Sequence, residues 1–377
     1  MLLEEMKGEN RLRRILGPVQ LSSLGIGAII GAGIFVLTGK AAHDNAGPAL
    51  ILSFVVSGIG CVFAALCYAE FASMVPVAGS AYTYAYATMG ELFAWIIGWD
   101  LVLEYTVTSA TVANSWSHYF QDFLSVFGVK VPHGLGLSPW DYDQTVGKVI
   151  STGSHIDLPA MIITVIITAV LVKGIRESAS FNTVMVAVKL AVVLFVIAVG
   201  AFYVNPANWH PFAPYGLTGV SFFGKSVFGQ HDPSGKPLGM LAGAAFVFFA
   251  YIGFDSVSTH AEEARHPHRD VPIGIVSSLL ICTVLYIAVA AVLTGMVPYG
   301  QININSPVSS AFGSVGLPWA QVLIAVGALF GITSVLLVMM LSQPRVLLAI
   351  ARDGLLPQST SIPTIVRIRI TPSLSIF

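Results

Sequence analysis

The sequence predicts an all-α polytopic membrane protein in which the first and the sixth of about eight helices are broken. Of the 377 residues, 55% are hydrophobic and only 10% are charged, and the mean hydropathy is +0.80. A soluble globular chain carries about 25% charged residues, so this composition excludes a soluble fold. The other two observations are a series of apolar segments long enough to cross a bilayer and glycine-rich interruptions within two of them.

Eight apolar segments, numbered spans 1 to 8, approach or exceed the roughly 20 residues that a membrane helix needs. Polar, glycine-rich or proline-rich connections separate them, and residues 123–156 and 205–238 are the longest of these. Residues 76–90 are too polar to span, and we expect them to lie at the interface or to re-enter the membrane. The spans cover residues 19–41, 48–75, 91–122, 157–173, 178–204, 239–262, 271–297 and 318–350.

The basic residues predict that the N-terminus is cytoplasmic, because cytoplasmic connections carry an excess of Lys and Arg. With this orientation, 12 basic residues lie inside and 5 lie outside, and every arginine is inside. The N-terminal segment is not a cleavable signal peptide, since the apolar run after it is too long. The inside set is Lys7, Arg11, Arg13, Arg14, Lys173, Arg176, Arg265, Arg269, Arg345, Arg352, Arg367 and Arg369, and the outside set is Lys40, Lys130, Lys148, Lys225 and Lys236.

Span 1 contains four glycines within Leu24–Leu37. Glycine loosens a helix interior, and a loosened backbone in hydrocarbon must find other hydrogen-bond partners. Two interpretations remain open at this point. Gly27 and Gly31 form a G-x-x-x-G pair that lets a neighbouring helix approach closely. Alternatively, the helix unwinds at Gly31–Gly33 and its freed backbone groups bind a ligand.

Span 6 carries a second interruption, because Tyr251-Ile-Gly-Phe-Asp-Ser places a glycine and two polar residues in mid-helix. Breaks five helices apart are the pattern of an inverted five-helix repeat whose first element is broken in each copy. The pair therefore favours the unwound interpretation of span 1. The predicted domains are a cytoplasmic segment (1–18), a transporter domain (19–357) and a divergent tail (358–377). The transporter domain holds a first repeat at about 19–204 and an incomplete second one at about 239–350.

Four ionisable residues lie within or near the end of spans, where a charge costs roughly 2.5–3.5 kcal/mol and suggests function. Lys189 is the deepest, more than two turns from either end of span 5, so its stem cannot easily carry the charge to the interface. The alternative is a lysine paired with a carboxylate that holds the bundle together. Glu104 and Asp255 are further functional candidates. Glu70 can reach the inner interface, which favours a structural or gating role.

Several chemistries find no support in the sequence. It contains no Walker loop with its lysine, no H-E-x-x-H and no G-x-S-x-G motif. The histidines of His266-Pro-His268 are interpreted as a solvated turn, and the three cysteines lie in apolar segments. We therefore expect no enzyme, no cofactor, no metal and no nucleic acid partner. A passive channel would need a continuous polar stripe, which no span shows.

Several motifs together resemble one family. They are Gly31-Ala-Gly-Ile-Phe; Tyr68-Ala-Glu-Phe with Pro76-Val-Ala-Gly-Ser-Ala-Tyr; Tyr251-Ile-Gly-Phe-Asp; Ala261-Glu-Glu-Ala-Arg-His-Pro with Val271-Pro-Ile-Gly-Ile; and Arg352-Asp-Gly-Leu-Leu-Pro. Through Pro357 the chain resembles the amino acid–polyamine–organocation superfamily, most closely bacterial members of the cationic amino acid transporter family. The resemblance implies a LeuT-type inverted-repeat bundle and secondary amino acid transport. It also implies a multi-pass protein of the bacterial inner (plasma) membrane.

The resemblance also implies a binding site at the bilayer midplane, with an amino acid and a proton as partners within the lipid bilayer. Lys189 matches the lysine that takes the place of a second sodium ion in sodium-independent members, near Ile29. The predicted proton-coupling group is Lys189 with Thr333 and Ser334. The substrate carboxylate is expected on the backbone N–H groups around Ala32, Gly33 and Ile34, and the ammonium on carbonyls near Phe249, Ala250 and Ile252. Ile30 and Gly31 belong to the same predicted substrate-binding set. Phe254 is the expected aromatic gate, and Asp255 and Ile332 complete the predicted substrate-binding set.

The predicted function is proton-coupled amino acid import, with the proton coupling implied by the resemblance at Lys189. Because Ile332 is apolar, small neutral amino acids are the favoured substrates, with cationic ones as an alternative. The chain departs from the family after Pro357, where residues 358–377 do not match and the second repeat holds three of five helices. This predicts a fragment or truncated product that does not transport alone. A truncated non-transporting subunit or an amino acid sensor is the competing function.

Overall fold

The computed structural model describes residues 16–75, 79–143, 148–173, 175–222, 225–232 and 235–356. The predicted cytoplasmic segment, apart from residues 16–18, and the predicted tail lie outside this part of the chain. The first three residues of Pro76-Val-Ala-Gly also lie outside it.

The first half of the chain is helical apart from its longest connection, because its apolar runs satisfy their own backbone groups only as helices in a membrane. Span 1 is a helix in two pieces, and spans 2 to 5 each coincide with one helix. The α-helices are α1 (Pro18–Ile29), α2 (Thr38–Ala41), α3 (Leu50–Met74), α4 (Ala81–Met89), α5 (Glu91–Val126), α6 (His133–Gly136), α7 (Leu158–Lys173) and α8 (Ile175–Gly200), with π-helical turns at Gly33–Leu37 and Ala42–Ala46 and a 3-10 turn at Gly47–Ala49.

In the second half of the chain, span 6 is again a helix in pieces. Short α- and 3-10 segments make up span 6, where the sequence predicts an interruption, while spans 7 and 8 are long and unbroken. The elements are the 3-10 turns Ala201–Tyr203 and Pro206–Trp209, α9 (Met240–Val247), the 3-10 segments Phe248–Tyr251 and Asp255–Glu263, α10 (Pro267–Met296), the 3-10 turn Tyr299–Gln301, α11 (Pro307–Ser314) and α12 (Pro318–Arg352).

Among the described residues of the two long connections, three antiparallel β-hairpins are present that were not predicted. They pair β1 (Trp140–Asp143) with β2 (Lys148–Ser151), β3 (Val220–Phe222) with β4 (Lys225–Phe228), and β5 (Gln230–His231) with β6 (Pro237–Leu238). These strands have two to four residues each. Such strands are too short for an alternating apolar pattern to stand out in the sequence.

Within the described residues, five helical stretches are long and apolar enough to cross a bilayer. Pro18–Ile29 and Leu158–Val172 are apolar but shorter, and α5 carries Glu91, Asp100, Glu104 and Asp122 along its length. Apolar side chains such as Phe63 on α3, Leu103 on α5 and Val165 on α7 point outward and are largely exposed. An apolar surface of this extent suits lipid rather than water. The five stretches are Gly33–Met74, Thr183–Tyr203, Met240–Glu263, Pro267–Met296 and Pro318–Arg352.

Two interruptions lie at the centre of the bundle. In the first break, residues 30–32, the helix ends at Ile29, Ile30 is extended with φ −75° and ψ 106°, and the helical path resumes at Gly33. In the second break, residues 252–254, Ile252 is extended and Gly253 has φ +114°, a conformation that favours glycine. The extended residue is thus Ile30 rather than one of Gly31–Gly33. Gly31 also packs tightly against Val335 of α12, so close packing and an interruption occur together here, while ligand binding by the freed backbone stays a prediction.

Candidate functional site

Lys189 of α8 ties three parts of the bundle together at the first break. It is fully buried, and its Nζ donates to the Gly27 carbonyl at 2.8 Å, the Ile30 carbonyl at 2.7 Å and the Ser334 hydroxyl at 2.7 Å. An ammonium has three donors, and each has an acceptor here. Among the described residues no carboxylate forms an ion pair with Lys189. The lysine therefore holds backbone released by the break instead of a counter-charge.

Thr333, predicted beside Lys189, faces another way. Its hydroxyl accepts from the indole N–H of Trp116 at 3.0 Å and donates to the Leu329 carbonyl at 2.6 Å. Neighbouring positions on an α-helix point about 100° apart, so Ser334 reaches Lys189 while Thr333 turns toward α5.

Tyr286 of α10 joins the two breaks and was missed by the sequence reasoning. Its hydroxyl lies 2.7 Å from the Ile29 carbonyl and 2.8 Å from the Ala250 carbonyl. The ring is fully buried and packs against Phe54 and Tyr251, with centroids 5.2 and 5.4 Å away. A tyrosine inside an apolar run requires a hydrogen-bond partner, and this signal could have identified it as a candidate.

The far side of the first break presents free backbone donors. Within the described part of the chain, the N–H groups of Gly31, Ala32, Gly33 and Ile34 donate no hydrogen bond. They begin the C-terminal half of span 1, where the helix dipole is positive, and such an end is suited to a carboxylate. A β-carbon at Gly33 would lie 2.9 Å from Ala250 Cβ, so the second break borders these donors directly.

Two of the three predicted carbonyl acceptors, those of Phe249 and Ala250, already accept hydrogen bonds within the protein. The Ala250 carbonyl contacts Tyr286, and the Phe249 carbonyl accepts from the Ile252 N–H at 3.3 Å. The Phe249 side chain points outward and is 61% exposed, whereas Ala250 is buried. Only the backbone of Phe249 therefore faces the second break.

The residues that follow Gly253 are buried and face α3 and α5. The Phe254 ring packs edge-on against Tyr68, with centroids 5.6 Å apart. The buried Asp255 carboxylate accepts from the Tyr105 hydroxyl at 2.6 Å. Tyr105 was not predicted, although it directly follows Glu104.

The remaining candidates lie around this centre. Ile332 of α12 is fully buried, two positions before Ser334. Glu104 is half-buried on α5, and Glu70 is exposed near the end of α3.

A buried polar cluster, also unpredicted, closes the end of the bundle where span 6 finishes. Arg345 of α12 donates to the Glu263 carboxylate at 2.6 Å, and its other terminal nitrogen lies against Nε2 of His260. A guanidinium only donates, so Nε2 accepts and Nδ1 carries the ring hydrogen toward the Ser256 carbonyl, 2.9 Å away. Leu16 adds backbone contacts, since its N–H donates to Glu263 and its carbonyl accepts from Arg265.

Apolar helices that suit a bilayer, with two interrupted helices meeting around free backbone groups, define a membrane transport protein rather than an enzyme. A family model described as amino acid permease matches residues 16–377. The chain belongs to this family, which confirms the resemblance drawn from its motifs.

Three relatives place the chain within that family. The branched-chain amino acid permease BcaP of Bacillus subtilis (strain 168) is 48% identical over 361 residues, covering 96% of this chain and 72% of BcaP. The methylthioribose transporter of the same organism is 45% identical over 358 residues, covering 94% and 71%. The chloroplastic cationic amino acid transporter 9 of Arabidopsis thaliana is 41% identical over 354 residues, covering 93% and 57%.

Proposed function

We propose that the protein is a secondary active transporter that imports small neutral amino acids together with protons by alternating access. The observation that carries the proposal is the ammonium of Lys189 on the backbone of the first break, beside free N–H donors. In the proposed architecture the two breaks open the two inverted repeats of a LeuT-type bundle, at about residues 19–204 and 239–350.

The proposed substrate site follows from the charges of an amino acid. Its carboxylate binds the free N–H groups of Gly31–Ile34, and its ammonium binds the carbonyl ends of the other two half-helices, at Ile29 and Ala250. Phe254 covers the site as a gate. The hydrogen bond from Tyr105 to Asp255, the residue next to Phe254, helps to fix the position of this gate. Donors and acceptors lie side by side because Gly33 has no side chain to separate them from Ala250.

Lys189 provides a way to couple a proton to movement of α1. Protonated, it donates charge-assisted hydrogen bonds to two carbonyls of the first break. Deprotonated, it keeps two N–H donors for those carbonyls, and the Ser334 hydroxyl can turn to donate to its nitrogen. The contacts persist but lose about half their strength, because charge-assisted bonds are roughly twice as strong as neutral ones. The proton then favours the conformation in which α1 is held, and this difference in affinity is what coupling requires.

Lys189→Ala in the full-length protein, reconstituted in proteoliposomes, tests the coupling. We expect the variant to lose alanine accumulation driven by an inward proton gradient and to retain counterflow of labelled alanine. Lys40→Ala is the matched control, because Lys40 is a half-buried lysine on α2 without a role in the site. An alanine variant at 189 that still concentrates substrate would show that Lys189 is not the coupling group, and Glu104 or Asp255 would be tested next.

The same counterflow assay tests the substrate class by competition. The buried apolar Ile332 offers a long cationic side chain no acidic partner, so unlabelled alanine should compete better than arginine. Leucine and methylthioribose belong in the panel, because relatives at 48% and 45% identity are named for branched-chain amino acids and for methylthioribose. Stronger competition by arginine would overturn the neutral preference. Binding of alanine without counterflow in any preparation would favour the sensor.

A further inference from the structure

We propose that Tyr286 is a positioning residue that fixes the spacing of the two breaks and thereby sets the affinity for the α-amino group of the substrate. This inference rests on the proposed function, and it concerns a residue outside the predicted site.

The geometry places two carbonyl oxygens around one phenol oxygen. Ile29 ends α1, and Ala250 lies in the 3-10 turn that precedes the second break. Their oxygens lie 2.7 and 2.8 Å from Tyr286 Oη, so they are at most about 5.5 Å apart, the sum of the two distances. Without a donor between them, these negative ends of two helical segments would repel each other.

The carbonyl oxygens of Ile29 and Ala250 can still accept further hydrogen bonds. A phenol has a single hydrogen, and two carbonyl oxygens share it, so each carbonyl retains capacity to accept another bond. A primary ammonium brings three donors and a positive charge. Tyr286 therefore holds the carbonyls close enough for one ammonium to use both, and it leaves them able to do so.

The ring is held firmly enough to impose this spacing. Tyr286 is fully buried, and Phe54 and Tyr251 pack against it. A β-carbon added at Gly33 would lie 3.0 Å from the Tyr286 hydroxyl, so α10 also limits how far the C-terminal half of span 1 can shift. The hydroxyl thus takes its position from α10 and transmits it to both breaks.

Tyr251 provides a matched control within the same aromatic cluster. It is also a fully buried tyrosine, and its hydroxyl also donates to a backbone carbonyl, that of Phe54 at 3.0 Å. That carbonyl belongs to the continuous helix α3 and to neither break. Removing this hydroxyl deletes a similar buried hydrogen bond and leaves both contacts of the Tyr286 hydroxyl in place.

The test compares Tyr286→Phe with Tyr251→Phe in the purified full-length protein. We expect Tyr286→Phe to raise the KM for alanine counterflow by about tenfold, with the maximal rate within about twofold of wild type. Without the hydroxyl, the Ile29 and Ala250 carbonyls are no longer held where both can accept from the substrate ammonium. Tyr251→Phe should leave KM within about threefold. Both variants should show similar melting temperatures without substrate, since each loses one buried hydroxyl.

A rescue experiment separates positioning from general packing. Incorporating p-aminophenylalanine at 286 restores N–H donors at the same place, and we expect KM to return toward the wild-type value. An unchanged KM in Tyr286→Phe, an equal rise in Tyr251→Phe, or no recovery with the amine would each overturn the inference. If the wild-type protein binds no amino acid, the proposed function itself fails, and the role of Tyr286 falls with it.

Discussion

Gly33, directly after the first break, lies against Ala250, two residues before the second break. A β-carbon there would lie 2.9 Å from Ala250 Cβ and 3.0 Å from both Ala250 Cα and the Tyr286 hydroxyl. The backbone of Ala250 cannot move aside without shifting the second break, since protein interiors are close-packed. Substitution at this position should therefore damage the site more than the fold.

We predict that Gly33→Ala weakens alanine binding by at least about tenfold, because forcing the breaks apart misplaces the carbonyl that accepts from the ammonium. Gly60→Ala is the control, since Gly60 lies on the exposed face of α3 with no atom within 4 Å of an added β-carbon. Isothermal titration of both variants in nanodiscs measures the difference. Wild-type affinity in Gly33→Ala would show that the breaks tolerate separation.

Side chains of the site were predictable only where their chemistry conflicts with a membrane. Lys189 stands out because a charged side chain within an apolar membrane span is energetically costly and suggests a function. Tyr286 and Tyr105 do not, because an aromatic ring suits such a run and only its hydroxyl needs a partner. Which of Thr333 and Ser334 meets the lysine depends on how α12 is rotated, and tertiary packing decides that.

At the scale of elements, a buried ion pair joins α12 to the end of the Asp255–Glu263 segment. The Arg345 and Glu263 side chains are 8% and 6% exposed. The neighbouring pair of Arg352 and Glu262, at 3.3 Å, is 35% and 19% exposed. Removing one partner of a buried pair costs about 3–5 kcal/mol because the other charge remains in a low dielectric, whereas an exposed pair contributes about 0–1 kcal/mol.

We therefore predict that Glu263→Gln lowers the melting temperature of the detergent-solubilised protein much more than Glu262→Gln. Replacing Arg345 by Met in the Glu263→Gln background should recover part of the loss, since no unpaired charge remains. Equal shifts in the two single variants would contradict the prediction.

The two breaks were predictable as elements because glycine and polar residues interrupt otherwise apolar runs. The limits of the first break were not predictable, since Lys189 and Tyr286 bind the carbonyls of Gly27, Ile29 and Ile30, and the extended residue is Ile30 rather than one of Gly31–Gly33. The hairpins in the two long connections were missed, because their short strands leave no periodic pattern.

At the scale of the whole molecule, the basic residues predict which side of the membrane each end of the bundle faces. Gln230 in β5 and Arg269 in α10 are both exposed and belong to connections on opposite sides in the predicted orientation. Their positions allow a direct test of the asymmetry of 12 basic residues inside against 5 outside.

We predict that Gln230→Cys reacts with an impermeant maleimide on intact cells, whereas Arg269→Cys reacts only after lysis. Both variants are made with Cys67→Ser, since Cys67 is the exposed cysteine among the described residues. The opposite labelling pattern would invert the topology and with it the predicted direction of import.

The contacts of Leu16 have a consequence for how the protein tolerates mutation. Its N–H donates to the Glu263 carbonyl at 3.0 Å, and its carbonyl accepts from the Arg265 N–H at 2.8 Å. Both bonds join main-chain atoms, so neither depends on the identity of a side chain. Movement of the beginning of α1 away from residues 263–265 would have to break both of them. Substitution of the exposed Arg265 should therefore leave both bonds in place, whereas Leu16 is buried and its position accepts only apolar side chains of similar size. Proline at position 16 or 265 has no N–H to donate and would remove one of the two hydrogen bonds.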